Sequence, residues 1–282
     1  MKIKILGSGG GEGYPATFCG CDHCNTARRL GGKNIRTLSQ TLINDDLLID
    51  LPEDTRLHAL REGLNLGDIP NILITHAHAD HFDPQILFMR GGCYAHELKY
   101  PTLNVYGSAP TLERYKKIVD TYGVRKDIFD SISFIVFEPY ETKTVGKYEV
   151  TALPAKHADK IDPLNYIIKE GEEVLIYLHD TGFPDISVLD FIKGREEYRR
   201  VGCVMMDATM GTMEIDDSRG HMSFEQDKRL SVTLRRLGIA DENTRFIVNH
   251  ITHNKAESHE KIEEIFEGSG IEVSFDGKVI EF

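Results

Sequence analysis

Apolar and polar positions alternate in short runs along this chain, and most runs stop at turn-forming residues. Ile3 and Ile5 alternate with Lys2 and Lys4, which predicts a half-buried strand over 2–7. Ser39–Ile43 and Leu47–Leu51 flank Asn44-Asp45, good turn residues, and predict a hairpin. Asn71–Thr75 is apolar and β-branched, as a buried strand should be. Similar runs place strands at 103–107, 132–136, 148–153, 165–168, 174–178, 201–206, 244–248, 271–275 and 278–282. Elsewhere the spacing is helical. Leu112, Tyr115, Ile118, Val119 and Tyr122 share one face of a helix over 109–122. Ser223-Phe-Glu-Gln226 reads as a capping box opening a helix that runs to Gly238. A third helix, over 256–266, turns Ile262, Ile265 and Phe266 inward. Shorter helices are expected at 25–30, 52–64, 83–89 and 185–193. Strand-rich halves, each closed by helices, predict an α+β sandwich: two sheets face to face with helices outside. No repeat, low-complexity tract or linker divides residues 1–282, so one domain is expected.

Composition narrows the class. With 40% hydrophobic and 28% charged residues the chain is of ordinary globular make-up. It holds no apolar run long enough to span a bilayer, and its first residues do not follow a signal-peptide plan. A cytoplasmic enzyme with no membrane partner is the expectation. The formal net charge of −12 repels polyanions and argues against long nucleic acid as a partner. A small anionic substrate meeting cations in a pocket stays compatible with it. Of five cysteines, Cys93 and Cys203 stand alone in apolar surroundings and read as buried small hydrophobes. Cys19, Cys21 and Cys24 are clustered, which in a reducing compartment points to metal or redox chemistry.

The densest chemistry lies in Thr75-His-Ala-His-Ala-Asp-His81. Extended backbone places His76 and His78 on one face, and the following turn frees Asp80 and His81 for a second ion. Imidazole and carboxylate suit zinc, manganese or iron. Four donors cannot fill two coordination spheres, and three later strand ends offer the rest: His157 after Leu153, Asp180 after Leu178, and His250 after Val248. Gly7-Ser-Gly-Gly-Gly-Glu-Gly13 lets backbone pass close to some other group. It lacks the lysine and spacing of a phosphate-binding loop, and a tight surface turn is the plainer reading.

The His-x-His-x-Asp-His run and the strand-end residues that follow it resemble the metallo-β-lactamase superfamily over residues 2 to about 254. The resemblance implies a four-layer αββα sandwich. It makes Asp50 the acid that props the metal loop. It makes His76, His78 and His157 ligands of a first ion, Asp80, His81 and His250 ligands of a second, and Asp180 the bridging carboxylate. The family's β-lactamases generally carry cysteine or serine where this chain has Asp180, which points away from antibiotic hydrolysis and toward two-metal hydrolases. Two dications roughly 3.5–4 Å apart can share a hydroxide and clamp attacking and leaving oxygens, with Asp80 and Asp180 offsetting their repulsion.

Cys19, Cys21 and Cys24 offer three soft donors, and a closed structural zinc site needs four. His253, three residues after His250, is the candidate fourth; His23 is nearer in sequence but constrained within the loop. A buried apolar cluster or a redox motif are the plainer alternatives. The glycine start, the thiolate loop and the His-x-x-His segment resemble the carbon–phosphorus lyase phosphodiesterase branch, which hydrolyses cyclic phosphates. Similar thiolate loops occur in a branch serving pyrroloquinoline quinone biosynthesis. His221 precedes a helix N-terminus, where phosphate oxygens are favoured, and is the candidate general acid. Asp207 is placed to orient it, resembling the glutamate–histidine couple of the phosphodiesterase and tRNA 3′-processing branches. His58, His96, His179 and His259 read as surface or supporting residues.

These readings lead to a dinuclear metal phosphodiesterase acting on a small cyclic or diester phosphate, with a structural zinc besides. Hydroxide attacks phosphorus in line and His221 protonates the leaving group. The alternatives are a tRNA 3′-processing nuclease, a lactone or thioester hydrolase, and a non-catalytic metal-binding protein of cofactor biosynthesis. The nuclease is disfavoured by the charge and by the lack of a basic Gly/Pro-rich arm. Relatives in the family are often homodimers, but no surface stripe here marks a dimer face.

Overall fold

The computed structural model describes residues 1–122, 128, 130–255 and 257–282. Its strands are β1 (Lys2–Gly7), β2 (Gln40–Ile43), β3 (Leu47–Ile49), β4 (Asn71–Leu73), β5 (Leu103–Gly107), β6 (Ile132–Val136) and β7 (Thr142–Val145). There follow β8 (Tyr148–Pro154), β9 (Leu164–Glu170), β10 (Glu173–Leu178), β11 (Val201–Asp207), β12 (Arg245–Asn249), β13 (Ile271–Val273) and β14 (Val279–Glu281). The helices are α1 (Asp22–Leu30), α2 (Thr55–Glu62), α3 (Ala109–Tyr122), α4 (Ile186–Lys193), α5 (Phe224–Arg236) and α6 (His259–Phe266).

The strands form two sheets, in the orders β14-β1-β2-β3-β4-β5-β6 and β13-β12-β11-β10-β9-β8-β7. Alternation along each strand sorts side chains between layers. On the β2–β3 hairpin, Ile43, Leu47 and Ile49 enter the cluster between the sheets, while Leu42 and Leu48 face outward to the cluster that also holds Tyr115 of α3. On β11, Cys203 and Met205 point between the sheets; Val204 and Met206 point to a third cluster with Leu189, Leu230 and Ile262 of α4, α5 and α6. The result is helix, sheet, sheet, helix, the sandwich implied by the resemblance. Truncating one fully buried aliphatic residue of the inner cluster to alanine would cost about 2–5 kcal/mol.

Local chemistry explains the element ends. Asn44 and Asp45 both take positive φ, 45° and 63°, as the two-residue turn of the hairpin requires. Ser223 and Gln226 form the reciprocal capping box of α5. Helix α1 starts earlier than expected because the Cys21 sulfur caps it, accepting from the Cys24 N–H. The helix expected from 256 begins at His259, where Ser258 caps it; Ala256 lies outside the described residues. So does the side chain of Tyr122. Residues 84–90 form a 3-10 helix capped by Asp83. Edge strand β7 was not foreseen: Thr-Lys-Thr-Val is largely exposed and carries no apolar run.

One reading is corrected. Cys93 is exposed, since its segment lies on the surface. Of the histidines read as surface or supporting residues, His58, His179 and His259 are buried and so take the supporting place, and His96 is exposed on the surface.

Parallel pairing of β3 with β4, and of β11 with β10 and β12, brings five carboxyl-terminal strand ends to one edge. Ligands of open α/β sheets bind beyond such ends. Three residues just past them, Asp50, Asp180 and His250, have φ of 66°, 46° and 60°. That left-handed region is tolerated by Asp and His better than by branched residues, and strain of this kind clusters at functional sites.

Candidate metal centre

The strand ends gather the predicted donors into two adjoining groups. His76, His78 and His157 form one; Asp80, His81, Asp180 and His250 form the other. His78 Nδ1 is 2.9 Å from His76 Nε2 and 3.2 Å from His157 Nε2. His81 Nε2 is 3.2 Å from His250 Nε2. Nitrogens bound about 2.1 Å from one ion at ordinary ligand angles lie roughly 3.0–3.4 Å apart, so these separations match edges of a coordination polyhedron. Asp180 Oδ2 stands 2.6 Å from His81 Nε2 and 3.4 Å from His76 Nε2, touching both groups as a bridge must. Its other oxygen, Oδ1, is buried without a hydrogen bond.

The outer nitrogens of His76, His81, His157 and His250 are held, which fixes the inner ones as donors. His81 Nδ1 is 2.7 Å from Asp50 Oδ2. The Thr75 hydroxyl donates to Asp50 and sits 3.0 Å from His76 Nδ1, so it accepts from that ring. His157 Nδ1 donates to the Gly220 carbonyl at 3.2 Å. On the second sheet the Thr209 hydroxyl donates to Asp207 Oδ2 at 3.0 Å and accepts from His250 Nδ1 at 2.7 Å. Thr209 escaped the sequence reading. Its signal was there: it lies two residues past Asp207 at a strand end, as Thr75 lies just before the histidines.

Electrostatics make the same demand. Burial would raise Asp80, yet the His81 charge keeps its carboxyl well below the usual range. Burial likewise opposes ionisation of Asp180, and His250 and His81 overcome it. Burial would discharge His81, but Asp180, Asp50 and Asp80 hold a proton on it far above its ordinary value. His76 is kept neutral by burial and by His81. A buried carboxylate cluster that retains a proton this strongly is a cluster that calls for cations.

Two glycines bring backbone against the centre. A Cβ on Gly11 would stand 3.0 Å from Asp80 Oδ2, and one on Gly10 would meet Thr252 at 2.5 Å and the His250 ring. The glycine loop is therefore an approach to the site, where a plain surface turn had been the simpler reading.

His221 and Asp207 also come together. His221 Nδ1 is 3.2 Å from Asp207 Oδ2 and 3.3 Å from Asp180 Oδ1. Its ring lies edge-on to His157, 4.7 Å between centroids. Burial would lower its pKa, but Asp207 and Asp180 outweigh that and push it up to about 10. Asp207 Oδ1 is fixed by the N–H groups of Thr209 and Met222. The shorter acid thus reaches the histidine directly.

Cys19, Cys21, Cys24 and His253 form a separate group. His253 Nδ1 is 3.6 Å from both the Cys19 and Cys21 sulfurs. A tetrahedral ion with Zn–S of about 2.3 Å and Zn–N of about 2.1 Å would set sulfur and nitrogen roughly 3.6 Å apart. The Cys24 N–H at the α1 start, then His253, lower the Cys21 thiol to about 6, while burial raises Cys24 to about 11. Glu12 lies 3.3 Å from His253 Nε2 and leaves Nδ1 free to face the sulfurs. His23 is not in the group.

A four-layer sandwich carrying paired His/Asp clusters at one edge defines a divalent-metal protein of the kind built for hydrolysis. The β-lactamase superfamily domain model matches residues 46–251, and the chain belongs to that family. Coenzyme PQQ synthesis protein B of Bradyrhizobium diazoefficiens is 30% identical over 113 residues, 34% of this chain. The chain spans only 36% of that relative's length. A diphosphatase of the PhnP family shares the fold with TM-score 0.70 and 20% identity, over 100% of this chain and 97% of its own. Zn(2+)-bound PqqB from Methylobacterium extorquens does so with TM-score 0.71 and 19% identity, over 100% of both chains. Among the described residues no helix is long and apolar enough to cross a membrane.

Proposed function

We propose that this protein is a metal-dependent phosphodiesterase acting on a small cyclic or diester phosphate. The observation that carries the reading is the placement of His221 against both Asp207 and Asp180, at the lip of the paired donor groups. His76, His78 and His157 would hold one divalent ion, zinc, manganese or iron; Asp80, His81 and His250 would hold the second, with Asp180 between them. Ions so held supply Lewis acidity and lower the pKa of water, the chemistry that phosphoryl transfer needs.

The chain's own residues do the rest. Asp207 orients the His221 ring through Nδ1 and keeps it protonated, which leaves Nε2 to deliver a proton to a departing alkoxide. Asp50 and Thr75 on one side, and Asp207 and Thr209 on the other, fix the donor rings so that little reorganisation accompanies reaction. Cys19, Cys21, Cys24 and His253 would hold a structural zinc that pins the loop running past Asp80 and His250. A cytoplasmic protein with no long nucleic-acid partner fits the charge.

The test is turnover by metal-replete protein on a panel of 2′,3′-cyclic nucleotides, cyclic sugar phosphates and bis-p-nitrophenyl phosphate, beside lactones and thioesters. Diesters should be cleaved in preference to acyl substrates. His221→Ala should slow alkoxide leaving groups far more than p-nitrophenolate. A fully metallated protein that cleaves no diester overturns the reading. A second reading, a metal-binding protein of cofactor biosynthesis, is favoured by the match to coenzyme PQQ synthesis protein B; it predicts metal binding with no turnover on any panel member.

A further inference from the structure

The outer face of the first sheet carries a cavity of about 330 Å³, lined by none of the donor residues. It lies between α2 and the segment 84–103, over Leu48 of β3, Ile72 of β4 and Leu103 of β5. Small-molecule sites occupy roughly 300–1,000 Å³, and they are mostly apolar with a few polar groups that fix orientation. This one fits that description, and its polar groups share one sign. Arg56 and Arg90 line it and no carboxylate does, in a chain of 45 acidic residues.

Arg90 is the unusual member. It is 8% exposed, its guanidinium donates to the Tyr100 carbonyl, and its Nε is buried with no hydrogen-bond partner. Buried charges are ordinarily paired. Burial depresses the Arg90 pKa and no neighbouring carboxylate counters it. Arg56 stands at the rim, 3.4 Å from the Met89 sulfur, and Leu60 at the mouth is 77% exposed. The cavity therefore offers an apolar body site, a desolvated cation within and a second cation at the entrance.

We propose that this cavity binds a small amphipathic anion, its charged head on Arg90 and its apolar body against Leu48, Leu66, Ile72 and Leu103. A carboxylate and a phosphate monoester present the same chemistry to a guanidinium, and the experiment separates them. Occupancy would also bear on the metal loop. Leu51, on the cavity wall, donates to the His81 carbonyl at 2.8 Å and accepts from the Asp83 N–H at 2.7 Å.

Calorimetric titration of intact, metal-replete protein with octanoate, octyl phosphate, 1-octanol and octylammonium tests this without reference to the reaction catalysed. One or both anions should bind saturably, the stronger one identifying the head group. Octanol should bind roughly tenfold more weakly or less, having no charge-assisted hydrogen bond, and octylammonium should not bind. Arg90→Gln should lose about tenfold or more of the anion affinity. Leu60→Asp, at an exposed position that leaves the fold alone, should weaken anions several-fold by repulsion at the mouth and leave diester hydrolysis unchanged. If Arg90→Gln fails to fold, Leu60→Asp decides. Equal binding of octanol and octanoate, or anion binding untouched by Leu60→Asp, overturns the proposal. So does a dimer that Leu60→Asp dissociates while no anion binds, which would assign the face to a second copy.

Discussion

The two sheets build the two halves of the metal centre by the same device and to different ends. On the first sheet Asp50 accepts from Thr75, and Thr75 and Asp50 hold His76 and His81. On the second, Asp207 accepts from Thr209, and Thr209 holds His250. In the first half the supports and two donor rings are sealed, with Asp50, His76 and His81 all fully buried, while the Asp80 side chain on the same loop keeps 20% of its exposure. The second half adds His221, whose side chain keeps 20% of its exposure, on the same carboxylate. An acid–threonine–histidine relay on both sides gives rigid donors; what sets the second half apart is that its relay acid also carries a further histidine, His221. In the proposed mechanism the first sheet only holds donors, whereas the second both holds them and supplies the acid.

Substitutions can break that contrast. Asp180→Ala removes the group common to both halves. It should abolish diester turnover, by roughly 10³-fold or more, and lower metal content, read by steady-state assay and elemental analysis. His221→Ala should lower kcat by about 10²–10⁴-fold while metal content stays at the wild-type level. Asp50→Asn and Asp207→Asn should each cost about 10–100-fold, for different reasons. The first should act through weakened metal affinity and be rescued by excess metal. The second should keep most of its loss in excess metal, because proton delivery is impaired. Equal rescue of both would erase the distinction between the halves. Cys21→Ser should remove one metal equivalent and lower Tm without moving the ratio of metal to His76-group sites.

The last effect falls on stability and not on turnover, and concerns the support behind Asp50. His58 is buried, its Nδ1 on Gln40, whose amide donates to the Asp50 carbonyl. Burial lowers its pKa to about 4. Between the ordinary value near 6.5 and about 4 the unfolded chain binds the proton and the folded chain does not. Stability from this group is therefore complete above pH 6.5 and lost as pH falls toward 4, on the order of 3 kcal/mol. Chemical denaturation of metal-free protein across that range, with and without His58→Gln, should show a shallower fall for the variant.

Much of this was legible in the sequence, and unevenly. Strands with a buried alternation, such as Lys2–Gly7, and helices with explicit caps, such as that after Ser223, announce themselves locally. The 76–81 loop did so because its donors are contiguous. His157, Asp180 and His250 are single residues at separate strand ends, and it was their order, matched to a family, that grouped them. The burial of His58, His179 and His259 was invisible because it depends on which distant element packs above a residue, whereas Thr209 did leave a signal in its place two residues past Asp207. The exposed β7 carries no apolar pattern and so gave no signal. Cys93 misled because apolar neighbours in sequence do not ensure an apolar environment in space.

The most direct measurement is anomalous diffraction at the zinc, manganese and iron edges from protein purified without chelator. Two peaks roughly 3.5–4 Å apart should appear, one among His76, His78 and His157 and one among Asp80, His81 and His250, with Asp180 between them. A third should lie among the cysteine sulfurs and His253. Full occupancy at the thiolates with no density between the two histidine groups would contradict the metal centre on which the proposed function stands.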